Sequence, residues 1–521
     1  MFFPPLKQAG GLGLAVLLTT ASLLSTGCSL GVLDYRPCDE SADCRAVFGR
    51  GFICGEAGFC EQTEPLNRCS SHPADLLDNL SEYEDWILLG SLFDQNDFEV
   101  VLKSARLAVI HVNTRDGLDG TPFGIIECTN QANVIYDDLD ENRATALAGY
   151  YLSEGLGIPT IIGPATTTRT EIAYNNDSPL GTLHISPSAT STDLTDIDGS
   201  TSTDEDPGLL WRTAPPDSLQ GQVLALEMKA QGVHRVGIVA QVGGYGEGLA
   251  EVFQQNYDSE EGYESELRLF EEASELGPHI TYFNSADFDG VLVISSNTSD
   301  MAAFLNGASA EELDYDDQKL IFLPDGANDV QLIKEANNAV ALFDDIRGTV
   351  PATPSGLAYN NFVAGYRLEF DGEDPSDFGF SAHAYDAGWL AIAGAAWSRY
   401  QEGGAITGLG TARGLRQLSD SSAETIDLSQ THWLSISAAL EEGSGVDVTG
   451  ASGALNFDAL SGELTTPVDV WRILCEDPTD SNSCSIEAIY CVDVSENPSP
   501  DCCQPGVDCP EEPDEDEGTE D

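Results

Sequence analysis

From Trp86 onward the chain repeats one pattern of polarity: a short continuous apolar run, a polar turn, then a longer segment whose apolar positions recur every three to four residues. The apolar runs WILLGS (86–91), PFGIIEC (122–128), PTIIG (159–163), TLHIS (182–186), RVGIVA (235–240), GVLVIS (290–295) and KLIFLP (319–324) predict strands. Between them, Val100 to Val112, Ala144 to Leu156, Ser218 to Ala230 and Gly248 to Tyr257 carry the helical period. A strand that is apolar at successive positions has both faces covered, and the alternating helices supply that cover. The pattern predicts an α/β protein with two doubly wound parallel-sheet lobes.

Two polar turns stand out against this background. GPATTTRT (163–170) and ISPSATSTDLT (185–195) each follow an apolar run directly. In a doubly wound sheet such turns lie at the carboxyl ends of the strands, where helix N-terminal N–H groups and Ser/Thr hydroxyls converge on an anionic group. Helix capping is the commoner task for hydroxyls such as those of Thr166, Thr167 and Thr168. His184, on the strand before the second turn, is close enough to approach the same place, although a satisfied or exposed histidine is the plainer reading.

The two ends of the chain differ from its middle. Lys7 precedes an apolar run from Leu12 to Leu24, too short and too rich in Gly, Ser and Thr for a membrane span, which ends in Ser25-Thr26-Gly27-Cys28. This resembles a bacterial lipoprotein signal with Cys28 as the acylated first residue, although Ser25 stands where that signal usually has Leu. An ordinary cleaved signal peptide is the alternative. Ser29 after Cys28 would favour the outer membrane under the enterobacterial sorting rule. Twelve further cysteines, Cys38, Cys44, Cys54, Cys60, Cys69, Cys128, Cys475, Cys484, Cys491, Cys502, Cys503 and Cys509, cluster at both ends with Cys128 as the exception. In an exported chain they are disulfide candidates, and Cys69 is a possible partner for Cys128. The segment from Cys38 to Cys60 has no C-x2-C pair and no His, which disfavours zinc. The expected organisation is a signal over 1–28, a Cys-rich stalk over 29–82, a ligand-binding domain over 83–473 and a Cys-rich acidic tail over 474–521. That tail has too little apolar content to fold without its disulfides and reads as a solvated end.

Charge and motifs exclude several functions. With 88 acidic and 22 basic residues the formal net charge is −66, against a nucleic-acid or anionic-membrane surface, since phosphate contacts need cations. The sequence has no H-E-x-x-H and no G-x-x-x-x-G-K-[ST], and its G-x-S-x-G match, Gly27 to Gly31, straddles the signal cleavage site. The glycine cluster Gly243 to Gly248 lacks the G-x-G-x-x-G order and reads as a turn, not a nucleotide loop. Neither an enzyme nor a cofactor or metal site is expected.

The chain from Trp86 to Ile473 resembles the leucine/isoleucine/valine-binding protein family, periplasmic binding proteins of the type I fold that serve ABC importers. The resemblance runs through ARLAVIHVNTRDGLDGTPFGII (105–126), TIIGPATTTRT (160–170), HISPSATSTDLT (184–195), WRTAPPDSLQGQVLA (211–225), YGEGLAEVF (245–253), LIFLPDGAND (320–329), HAYDAGWLAIAGA (383–395) and ASGALNFDALSGE (451–463), in the family's order. It implies two lobes joined by three crossovers, lobe one taking 83–212 and 350–446 and lobe two 213–349 and 447–473, with a ligand closing the cleft between them.

The resemblance also implies a site. Thr167 and Thr190 match positions that bind the ligand carboxylate, Ser188 a residue whose backbone carbonyl meets the ammonium, Tyr245 a cleft tyrosine of the opposite lobe, and Asp325 an acid that pairs with the ammonium. Asn297 stands where the family has a second cleft tyrosine, and SLFDQNDFEV (91–100) replaces a Gly-containing loop, so an aliphatic preference does not carry over. The implied function is a lipid-anchored envelope protein that captures an amino acid or small carboxylate for an ABC permease. A surface sensor or interaction lipoprotein of the same fold, regulating a partner, is the alternative.

Overall fold

The computed structural model describes residues 36–493 apart from 136, 199–202, 286, 311–318, 353–355 and 459–460. The signal segment with Cys28, and Cys502, Cys503 and Cys509, lie outside the described residues. The first lobe is built on a six-stranded sheet of β1 (Cys69–His72), β2 (Ile87–Phe93), β3 (Phe123–Thr129), β4 (Thr160–Ile162), β5 (Leu183–Ser186) and β6 (Leu210–Arg212), in the spatial order β1-β3-β2-β4-β5-β6. All neighbours are parallel except β1, which pairs antiparallel with β3.

The second lobe has seven strands: β7 (Arg235–Gln241), β8 (Glu264–Phe270), β9 (Gly290–Ile294), β10 (Leu320–Leu323), β11 (Ile346–Pro351), β12 (Val468–Cys475) and β13 (Cys484–Val492), ordered β8-β7-β9-β10-β11-β12-β13. The first five are parallel and β12 and β13 are antiparallel additions. Each lobe thus reverses its strand order beside its first parallel strand, and open α/β sheets bind ligands outside the strand carboxyl ends at such a point. All seven expected strands are present.

Double coverage is visible in single strands. In β9, Val291 and Val293 belong to one buried cluster, with Phe283 and Phe304, while Leu292 and Ile294 belong to another, with Leu249 and Phe253. In the first lobe the helix Ser381–Gln401 is buried on almost every side, as its Ala-rich, all-round apolar sequence dictates. Gly388 lets it meet the helix Glu99–Asn113 closely: a Cβ there would lie 2.8 Å from Ala108 Cβ and 2.9 Å from Ala105 O.

Three boundaries differ from the sequence expectation. The segment expected as a stalk packs against lobe one. Its bridges Cys38–Cys54 and Cys44–Cys60 close a helix and hairpin that cannot bury a core of their own. Arg45 Nη1 donates to Glu154 O at 2.6 Å, and Arg50 donates to the carbonyls of Tyr83 (2.9 Å) and Trp86 (2.8 Å). β1 is already part of the sheet, clamped by Cys69–Cys128. The third crossover falls after Leu464 and not at residue 447, because Val448, Ala451, Leu455 and Leu464 sit in the first lobe's core.

The tail begins later than residue 474. β13 pairs with β12 from Val468↔Val492 to Cys475↔Cys484, and a disulfide joins Cys475 to Cys484. Val492 packs with Val223, Val468 and Val470, and the Tyr490 hydroxyl donates to the buried Glu227 carboxylate, which Arg347 Nη1 meets at 3.0 Å. Cys491 is disulfide-bonded as well. No helix among the described residues is long and apolar enough to cross a membrane.

Candidate functional site

Two turns at the carboxyl ends of β4 and β5 face the second lobe. Several of their hydroxyls hold the turns together: Ser186 Oγ donates to Pro164 O (2.6 Å), Ser188 Oγ to Ala165 O (2.8 Å) and Thr170 Oγ1 to Pro164 O (3.1 Å). Thr167 and Thr190 do something else. Each is 3% exposed, and neither hydroxyl has a protein partner within hydrogen-bonding geometry. Thr166, at the N-cap of the helix Thr167–Asp177, makes no side-chain capping bond either. A buried hydroxyl left unpaired costs about 1–3 kcal/mol, a cost that an acceptor placed between these adjoining turns would remove.

Across the cleft stands a pair of acids. Asp325, in the turn after β10, is 5% exposed and accepts from Gly326 N at 2.9 Å and from the Tyr245 hydroxyl. Tyr245 comes from the start of the helix Gly244–Tyr257 after β7. Asp217, the first residue of the helix Asp217–Ala230, is fully buried, and its N–H donates to Thr190 O at 2.7 Å. Neither of its carboxylate oxygens has a hydrogen-bond partner. Burial, and then the Asp325 carboxylate, push Asp217 well above the ordinary carboxylate range; the Thr190 hydroxyl, which lies near the Asp217 carboxyl but outside hydrogen-bonding geometry, and the Arg212 charge oppose this without reversing it. Burial likewise raises Asp325, and burial beside the two acids raises Tyr245.

Arg212 does not quench the pair. Its guanidinium is spent on Glu463, on the carbonyls of Ala189 (3.1 Å) and Ser191 (2.7 Å) and on the Thr195 hydroxyl (3.0 Å). What the arrangement accepts is therefore a cation beside the acids and an anion beside the threonines.

The lobes touch along one rim of this site. Ser191 Oγ donates to Gly244 O at 2.8 Å, and a Cβ on Gly244 would lie 3.1 Å from Thr167 Cγ2. The glycine cluster, expected as a turn, is instead the N-cap and first turn of the helix Gly244–Tyr257, and its small residues let that helix start approach the threonine turns.

The expected residues separate into groups. Thr167, Thr190, Tyr245 and Asp325 are all buried at facing strand ends. Ser188 is half-buried, with its hydroxyl used to brace the two turns. Asn297 is exposed, and its side chain accepts from Ser299 N at 3.0 Å, so it caps the helix Thr298–Ala310. His184 is fully buried and satisfied, with Nε2 3.2 Å from Asp177 and Nδ1 3.2 Å from Gly163 O. Asp217 was missed. An acid behind Pro215-Pro216 at a helix start reads as a favourable first-turn residue, and its facing Asp325 is invisible without the fold.

The acid pair makes stability depend on pH with a definite sign. Both carboxyls hold their protons more tightly folded than unfolded. The stability this gives is complete below an unfolded pKa of about 4 and is lost as pH rises toward the raised folded values. Between pH 5 and 7 the unliganded protein is expected to lose more denaturation midpoint than its Asp217→Asn variant, measured by urea titration at each pH.

Residues 100–473 match a family model described as the receptor family ligand binding region. No curated protein matches the chain by sequence. Among solved structures, the branched-chain amino acid transporter substrate-binding protein LivJ from Streptococcus pneumoniae, in complex with isoleucine, superposes with a TM-score of 0.57 at 19% identity, covering 77% of this chain and 99% of its own. The leucine-binding protein LivK from Thermotoga maritima gives 0.59 at 16% identity, covering 78% and 99%. A solute-binding protein of an ABC transporter from R. palustris, in complex with 4-hydroxybenzoate, gives 0.58 at 13% identity, covering 78% and 97%. The shared architecture is that of type I periplasmic binding proteins.

Proposed function

The chain belongs to the receptor family ligand binding regions, and from that premise we propose that it is an envelope solute-binding protein that captures an α-amino acid between its lobes, without chemical turnover. One observation carries the reading: two buried carboxyls, Asp217 and Asp325, face two buried unpartnered hydroxyls, Thr167 and Thr190. An ammonium beside the acids satisfies Asp217 and relieves its repulsion with Asp325, while a carboxylate takes the hydroxyls and the N–H groups at the start of the helix Thr167–Asp177. A ligand that contacts both lobes favours the closed arrangement by its differential affinity for it.

Export and anchoring belong to the same proposal: Cys28 is the acylated residue, and an ABC permease is the recipient. The second reading, a surface sensor regulating a partner, draws support from the disulfide module that Arg45 and Arg50 fasten to lobe one. Neighbouring genes for a permease and an ATPase favour the importer; their absence favours the sensor.

Calorimetry with single amino acids on the disulfide-intact chain tests the ligand class. Saturable binding to at least one is expected, and no heat with any of them would overturn it. Thr190→Val removes one hydroxyl that meets the carboxylate and is expected to weaken that ligand by about 1–3 kcal/mol, read in the same titration.

A further inference from the structure

A second feature lies between the lobes, and its meaning rests on the amino-acid reading above. A cavity of about 250 Å³ runs between lobe one, which contributes Tyr359, Phe378, Phe380 and His383, and lobe two, which contributes Asn328 and Ile486. None of the site's own residues lines it, but two of its lining residues are bonded to the segments that carry the acid pair. Asn328 N donates to Asp325 O at 2.9 Å, and His383 O accepts the hydroxyl of Thr213, shortly before Asp217, at 2.9 Å.

The wall chemistry is specific. Three aromatic rings supply an apolar lining, and the Phe380 ring lies 5.4 Å from the His383 imidazole. His383 is 7% exposed, and its Nδ1 has no hydrogen-bond partner. Burial lowers its pKa to about 4, so at neutral pH the ring is uncharged and carries one donor and one acceptor. Among the lining residues there is no Lys or Arg, and the one formal charge is the exposed Asp377. An anionic side chain finds no counter-charge here, and a purely aliphatic one leaves the imidazole unpaired. A cavity this size holds several waters, each taking about 30 Å³, and so has room for a ring.

We propose that the ligand's side chain occupies this cavity with His383 as its polar determinant, so that the protein selects an amino acid with an uncharged aromatic side chain bearing a hydrogen-bonding edge. The rings take the flat faces of such a side chain and the imidazole takes its polar edge. The C-terminal strand β13 closes the pocket through Ile486, so this specificity depends on a strand that lies beyond the matched residues 100–473.

The test is calorimetric titration of the full disulfide-intact chain with tyrosine, phenylalanine, leucine, glutamate and lysine, repeated on His383→Leu and Phe378→Ala. Tyrosine is expected to bind at least about tenfold more tightly than leucine, with His383→Leu costing tyrosine about tenfold and phenylalanine less than about twofold. Phe378→Ala, which does not disturb the imidazole, is expected to weaken both aromatic ligands and leave leucine unchanged. Tighter binding of leucine, glutamate or lysine, or an equal loss for every ligand in His383→Leu, would overturn the pocket assignment while leaving the amino-acid reading in place. Absence of heat with all five and with every other amino acid would overturn both.

Discussion

Asp217→Asn is expected to weaken amino-acid binding by roughly 30-fold to several thousand-fold, the 2–5 kcal/mol associated with removing one partner of a buried charge pair. The same substitution leaves the unliganded protein at least as stable as the wild type at neutral pH. The reason is an asymmetry between the two states. Without ligand, Asp217 is a fully buried carboxyl with no hydrogen-bond partner, facing a second buried carboxyl. Its position at a helix N-terminus returns about 0.3–1 kcal/mol, less than the several kcal/mol that an unpaired buried ion costs. In the proposed complex that charge would be neutralised by the ammonium. Calorimetry and urea denaturation on one preparation read both halves. A variant that binds as the wild type does, or that loses stability and affinity together, would mean that Asp217 is a structural residue.

Removing residues 481–521 is expected to cost on the order of 5 kcal/mol, a large share of the 5–15 kcal/mol typical of a folded protein. The loss comes from β13. Val492 is buried with Val223, Val468 and Val470, and Ile486 packs against the cluster containing Trp471 and Phe343. The Tyr490 hydroxyl satisfies Glu227, which is 3% exposed. Tyr490→Phe isolates that one bond and is expected to cost about 1–3 kcal/mol, because a buried carboxylate oxygen is left short of a donor. Denaturant titration checks both. A truncated chain with the wild-type midpoint would mean that β13 contributes nothing to the second sheet.

How much of this was legible follows from the physics of each element. β2, β3, β7 and β9 were read directly because strands covered on both faces are apolar at successive positions. β8, ESELRLF, is an edge strand of mixed polarity, and β13, CSIEAIYCV, sits in an acidic, Pro-rich context. β13 is the return strand of a hairpin with β12, closed at Cys475 and Cys484, but its acidic surroundings hide it within what reads as a solvated tail. The stalk misled in the same way: its cysteines were visible, but the carbonyls of Glu154, Tyr83 and Trp86 that hold its arginines were not.

The site divides along similar lines. The two turns are marked by their density of hydroxyls, but it is the resemblance that singles out Thr167 and Thr190; local composition does not tell them from Ser186, Ser188 and Thr170, which spend their hydroxyls on bracing the turns. Tyr245 and Asp325 entered through resemblance and are joined by a hydrogen bond. Asn297 entered by the same route and faces solvent as a helix cap. Asp217 and His383 acquire meaning only when the lobes meet, since each is marked by buried polar atoms without a hydrogen-bond partner: both carboxylate oxygens of Asp217 and Nδ1 of His383.

The central claim is that the cleft binds a zwitterion, with the ammonium on Asp217 and Asp325 and the carboxylate on Thr167 and Thr190. The direct test takes the tightest amino acid found and compares it in calorimetry with its des-amino acid and its decarboxylated amine. The account predicts that each half-ligand binds at least about a hundredfold more weakly, since each forfeits one set of charge-assisted bonds. A des-amino acid that binds as tightly as the amino acid would contradict it, because the two buried acids would then have no ammonium to hold.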